Sequence, residues 1–219
     1  MTETKGATRK IQKEIPPDLL SQDLECYCQS ALAEGATKAK IIPAQWVNVD
    51  ERVRLKCFIP RCPNYGQCAS CPPYCPDPEL FRRSFCRYSW AILLKKDIIP
   101  ADDLADQDKI KQGAYIKHVQ EIAEIVAKIE TMAFADGYYL ALGLASGGCK
   151  DFLCRDNLCQ VIDGGRCPYP LKARPSMEAA SIDVFGLVAS VGWEGYPIYA
   201  TIDPKLVPLA ILVGLIFVY

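Results

Sequence analysis

The chain has one histidine in 219 residues, no long run of charge of either sign, and no apolar stretch near its start. With His118 alone, mixed cysteine–histidine zinc sites lack ligands. A lone histidine at a helix edge suits a surface or capping role better than catalysis. Lysine and arginine number 25 against 26 aspartates and glutamates, a net charge of −1, which argues against a nucleic-acid or membrane-surface partner. The opening MTETKGATRKIQKEIPPD lacks the apolar core of a signal peptide, so a cytoplasmic location with reduced thiols is expected. Gly143, Gly147 and Gly148 do not form a dinucleotide fingerprint. No Ser/His/Asp set or carboxylate pair is visible, so no catalytic residue is assigned.

Cysteine, by contrast, is plentiful, with twelve residues. CFIPRCPNYGQCASCPPYCP holds Cys57, Cys62, Cys68, Cys71 and Cys75, and GGCKDFLCRDNLCQVIDGGRCPYP holds Cys149, Cys154, Cys159 and Cys167. Thiolates are soft ligands that select zinc, copper(I) or iron–sulfur clusters over hard cations. A [4Fe–4S] cube needs four converging thiolates, and short gaps let one loop supply most of them. Cys68, Cys71, Cys75 and Pro76 reproduce the C-x2-C-x3-C-P ending of the bacterial ferredoxin run. Cys62, Cys71, Cys75 and Cys167 are each followed by proline, which fixes φ and removes a competing amide donor. Structural zinc favours two C-x2-C pairs a dozen or more residues apart, whereas the first loop has one such pair and the second none.

The expected cluster ligands are therefore Cys57, Cys62, Cys71 and Cys75 in the first loop and Cys149, Cys154, Cys159 and Cys167 in the second, with Cys68 as a fifth, spare thiol. Lys150, Arg155, Arg166, Lys172 and Arg174 flank the second loop. They either offset the charge of a four-thiolate cluster or are solvated charges balanced by Asp151, Asp156 and Asp163. Cys26 and Cys28, two apart on a helix, face different ways and are expected to be inert buried thiols, as is Cys86. Trp46, Trp90 and Trp193 are expected in the core.

Periodicity predicts helices over 17–33, 78–87, within 109–133 and over 181–191, with Pro175 able to start the last. Strands are predicted over 39–42, 52–56, 90–94, 138–144, 198–202 and 207–218. Residues 206–219 carry no charge; as a helix 14 residues would rise roughly 21 Å, short of a hydrocarbon core of roughly 30 Å. Pro208, Gly214 and the β-branched content favour a strand buried on both faces over a tail anchor. Strands separated by helices predict an α/β, sandwich-like single domain over 17–219 with two cysteine-rich cluster-binding loops, preceded by a flexible segment, 1–16.

CPNYG followed by CPP, then GGC…C…C…C with ARPSMEA downstream, resembles the cysteine-rich "predicted metal-binding protein" family of anaerobic bacteria and archaea, a domain of unknown function. The resemblance runs from the GATKAKII segment to the apolar C-terminal strand. It implies metal binding through Cys57, Cys62 and Cys71 and names no reaction. The leading expectation is an iron–sulfur protein with one or two [4Fe–4S] clusters, carrying electrons to a redox protein partner or serving an anaerobic redox enzyme. The runner-up is a zinc-bound structural or metal-delivery module. A third reading is an enzyme that uses an open iron as a Lewis acid.

Overall fold

The computed structural model describes residues 8–199 and 202–219. At its centre is a four-stranded, wholly antiparallel sheet in the order β1-β2-β4-β3, built from β1 (Lys38–Pro43), β2 (Trp90–Ile98), β4 (Ala210–Phe217) and β3 (Leu142–Leu144). The charge-free C-terminal run is strand β4, paired on one side with β2 (Leu93 opposite Leu215) and on the other with β3 (Leu144 opposite Leu215). A strand so placed has apolar neighbours on both faces, which is why its sequence shows no alternation. No helix among the described residues is long and apolar enough to cross a membrane.

Alternation does show in which face each residue supplies. Ile92, Leu94, Ile216 and Val218 pack with Leu24 and Tyr27 of α1 (Pro17–Ala33) and with Ile122 and Ile129 of α6 (Tyr115–Ala135). Leu93, Val213, Leu215 and Phe217 meet Phe81 and Phe85 of α3 (Pro78–Phe85) and Leu187 and Val188 of α7 (Val184–Ser190) on the opposite face. The molecule is thus a mixed α/β domain with the sheet between two helical layers. Helix α6 lies close to the sheet because two strand positions lack a Cβ. One on Gly214 would stand 2.5 Å from Val126, and one on Gly143 2.6 Å from the same side chain.

Several elements differ from their sequence expectations. Residues 52–56 are not a strand but lie in helix α2 (Glu51–Phe58), whose Asp50 side chain accepts from the Arg52 amide at 2.9 Å and so caps the first turn. Of the strand expected over 138–144, only Leu142–Leu144 pairs; the Tyr138 hydroxyl instead donates to buried Asp23 at 2.7 Å. Helix α7 begins at Val184 rather than 181 because residues 177–181 form turns instead, with Ile182 donating to the Met177 carbonyl at 2.9 Å and Ser181 at φ 65°. Met177 donates to the Ala145 carbonyl at 2.9 Å, Asp50 to the Ser181 carbonyl at 2.7 Å, and Asp183 to Asn48 at 3.0 Å. The strand expected over 198–202 falls partly outside the described residues, and its described ends are irregular. Ahead of α1, Arg9 bonds Asp23 and Asp136, and residues 1–7 lie outside the described residues.

Cys28 is buried as expected, but Cys26 and Cys86 are exposed. Residues two apart on a helix cannot both face the core, and Cys86 sits past the end of α3, where its thiol meets the Arg83 carbonyl. Trp193 packs against the core, whereas Trp46 and Trp90 lie at the surface, Trp90 at the very start of its strand.

Candidate metal centre

Helix α2 delivers Cys57 to the first cysteine loop, residues 59–77, and the Arg54 guanidinium clips the loop's end by donating to the Pro76 carbonyl at 2.7 Å. Inside it the cysteines are themselves the corners of consecutive turns. Cys62 donates to the Cys57 carbonyl at 3.0 Å, Cys71 to Cys68 at 3.1 Å and Cys75 to Cys71 at 3.0 Å. Gly66, at φ 75°, lets its amide reach the Pro72 carbonyl at 2.8 Å and fold the loop on itself.

The second loop leaves β3 through Ser146, which extends the pairing beyond Leu144: its hydroxyl donates to the Val213 carbonyl at 2.7 Å and accepts from the Val213 amide at 3.0 Å. Gly147 follows at φ 70°, where a Cβ would stand 2.8 Å from Val119. A Cβ on Gly148 would come 3.1 Å from the Asn64 amide nitrogen and 3.6 Å from the Cys71 sulfur. The paired glycines therefore let the two cysteine loops touch. A single π-helical turn, Lys150–Cys154, then closes with Arg155 donating to the Lys150 carbonyl at 2.7 Å. Such turns are rare and frequent at functional sites.

The structure sorts the thiols into two neighbouring sets. Cys57, Cys62 and Cys71 line a cavity of 520 Å³ that also receives Asn64, Tyr115 and Glu178. Cys75 lies buried close to Cys57, its thiol 3.6 Å from the Ala179 carbonyl. Cys149, Cys154, Cys159 and Cys167 all line a second cavity of 290 Å³. Between the two, Cys68 and Cys71 pack against Cys149, and the Cys149 thiol lies 3.5 Å from the Ser70 hydroxyl. Cys68 therefore belongs spatially to the second loop's edge rather than to Cys57 and Cys62.

Electrostatics record this crowding. The Cys154 thiol is pushed up by burial and then by Cys149, Cys159 and Cys167; the Cys57 thiol by burial, then by Cys62 and Glu178. Cys149 is raised by its hydrogen bond to Cys68 and by burial. Cys68 is lowered by its hydrogen bond with Cys149 but raised more by Cys71 and by burial, and stands at about 12. Burial also raises the Glu178 carboxyl. Each of these groups resists ionisation beside the others, and a bound cation would reverse that by supplying the missing positive charge.

Among the described residues, no three histidine, cysteine, aspartate or glutamate side chains converge closely enough to hold a metal ion as they stand. The donors nevertheless fit one in kind: two sets of thiols, each around a cavity, with only one histidine in the whole chain. Of the flanking cations, Arg174 is engaged with Glu130 at 2.6 Å and Lys150 with the Asn157 carbonyl at 2.6 Å. Lys150 still lowers the Cys154 thiol through space, although burial and the neighbouring thiols outweigh it. His118 pairs with Asp103 at 3.0 Å in part-buried surroundings and lines neither cavity.

Sequence reasoning missed Glu178, Asn64 and Ser70 as parts of this region, and took Asp151 for a solvated loop charge rather than the partner of Asn64. Glu178 and Asn64 sit in the RPSMEA and CPNYG motifs, so the signal was present but its chemistry could not be read without the fold.

A mixed α/β domain that gathers nine thiols from two loops at one end of its sheet defines a thiol-rich candidate metal-binding protein. The model of the predicted metal-binding protein family DUF2284 matches residues 40–212, most of the chain, and the chain belongs to that family. No curated protein and no solved structure matches it.

Proposed function

We propose that the protein holds iron–sulfur clusters, one or two of the [4Fe–4S] type, and transfers single electrons to a redox partner or serves an anaerobic redox enzyme. The observation that carries this is the lining of one small cavity by Cys149, Cys154, Cys159 and Cys167, the number of thiolates such a cluster takes. Cys57, Cys62, Cys71 and Cys75 are the ligands of the first cluster, and the C-x3-C-P ending at Cys75 supports that choice. The thiols would work in a reducing, cytoplasmic setting.

A second reading has its own observation. Cys68 and Cys71 form a C-x2-C pair and pack against Cys149, an arrangement that suits structural zinc with no redox role.

Anaerobic purification followed by iron, zinc and acid-labile sulfide analysis separates the two. Iron and sulfide in equal amounts with broad absorption in the visible region are expected. Stoichiometric zinc without sulfide would replace the cluster reading with the second.

A further inference from the structure

The cavity beside the first cysteine set has two ends of different character. Its 520 Å³ falls in the range of small-molecule pockets, roughly 300–1,000 Å³. At one end stand Cys57, Cys62 and Cys71 with the polar groups of Asn64, Tyr115 and Glu178. The grouping of these polar residues with the thiols is recorded in their interactions: Tyr115 feels Asp151 and Cys62, and Cys57 feels Glu178. The Ser176 hydroxyl accepts from the Ala179 amide at 3.0 Å, which fixes the turn that carries Glu178.

Leu104, Ile110, Ile198 and Leu212 line the same cavity. Leu104, Ile198 and Leu212 also pack against a separate apolar cluster that contains Ile98 and Val207, away from the cysteine loops. Leu104 lies on the short helix α4 (Asp102–Ala105) and Ile110 on α5 (Gln107–Lys111). Apolar walls can shield a metal centre from water, but Leu104, Ile198 and Leu212 run on from the thiols into a separate apolar cluster. A pocket that is mostly apolar with a few convergent polar groups is the usual form of an organic-ligand site.

We propose that this cavity binds a small organic molecule with an aliphatic body and one polar head group, the body against Leu104, Ile110 and Leu212 and the head toward Glu178 and the thiols. The inference deepens the metal reading, on which it rests only for what the head group faces. It makes the first cysteine set a place where a metal centre and a substrate would meet, beside a larger cavity than the 290 Å³ one at the second set.

The test uses the anaerobically prepared full chain and 1-octanol as probe, followed by calorimetry and ligand-observed NMR. One saturable site is expected. Ile110→Trp, on a short surface helix, fills the apolar end and should weaken octanol binding about tenfold or more through steric exclusion, with metal content unchanged. Glu178→Gln should weaken it less. Should Ile110→Trp fail to fold by circular dichroism, Leu104→Phe makes the same test. No saturable binding by the unmodified protein, or equal affinity in the folded Ile110→Trp or Leu104→Phe variant, overturns the proposal. Octanol binding in a protein that purifies without metal removes the metal reading and leaves the cavity; metal without octanol binding does the reverse.

Discussion

The Asn64 side-chain amide nitrogen lies 3.0 Å from each carboxylate oxygen of Asp151, a residue 87 positions away in the other cysteine loop. Asp151 also accepts from the Gly148 amide at 3.3 Å, so one carboxylate ties the second loop's glycine pair to the first loop. Asp151→Ala leaves both donors without a partner in part-buried surroundings and should lower stability by about 1–3 kcal/mol. Urea unfolding of the variant checks this, and an unchanged midpoint would mean that the loops are held together by other contacts.

Cys68→Ser should keep the full complement of metal, because Cys68 packs with Cys149 and Cys71 and does not line the cavity shared by Cys57 and Cys62. Cys71→Ser should lose the metal of the first set. Equal losses in the two variants, measured by elemental analysis after anaerobic purification, would show that Cys68 is a ligand and not the spare thiol.

Replacing Cys154 and Cys159 together by serine should remove about half the metal and leave the remainder spectroscopically normal, since the two thiol sets line separate cavities. Complete metal loss from a protein that stays folded points instead to one shared centre, bridged through Cys149.

Gly214→Ala and Gly143→Ala should each destabilise the domain by about 1–3 kcal/mol, since the added methyl meets a Val126 side chain fixed between helix and sheet. Pairing Gly214→Ala with Val126→Ala should cost less than the sum of the two single changes, because the smaller side chain relieves the clash. Strict additivity in urea titrations would deny that α6 is seated through these glycines.

The metal-free, reduced protein should lose stability as pH rises above about 9. Buried Cys28 is pushed up from 9.0 to about 12, mainly by burial, so the unfolded chain releases its proton first. Stability linked to that thiol is complete below pH 9 and is lost between 9 and about 12, with Cys68 acting in the same sense. Buried Tyr27 and Tyr138 are raised too and extend the loss from their ordinary value of 10 upward. Cys28→Ala should shallow the decline, as followed by thermal melts across the range.

How much of this was legible varies with the kind of signal. Helix α1 was readable to the residue, from Pro17 as a starting position and Gly35, at φ 104°, as the terminator. The face of α6 carrying Val119, Ile122, Val126, Ile129 and Ala133 is buried as its spacing indicated. Residues 52–56 misled because RVRLK alternates like a strand, whereas the Asp50 cap starts a helix there. The stretch after Pro175 looked helical but folds into turns pinned by bonds to Ala145, Asn48 and Asp50, partners that lie 30 or more positions away in the chain.

By itself the sequence determined the abundance of thiols in this protein, their grouping into two loops, and the burial of its charge-free C-terminal strand. These follow from residue type and local spacing, which the chain carries wherever it folds. Only the tertiary structure decided that β4 lies between β2 and β3, that Gly147 and Gly148 bring the second loop against Asn64 and Cys71, and that Cys68 sides with Cys149. It alone placed Glu178 opposite Cys57 and opened an aliphatic chamber beside the thiols. Such contacts join residues far apart in the chain, and the physical terms that select them, close packing against Val119 and Val126 and the pairing of buried polar groups, exist only once the sheet has formed.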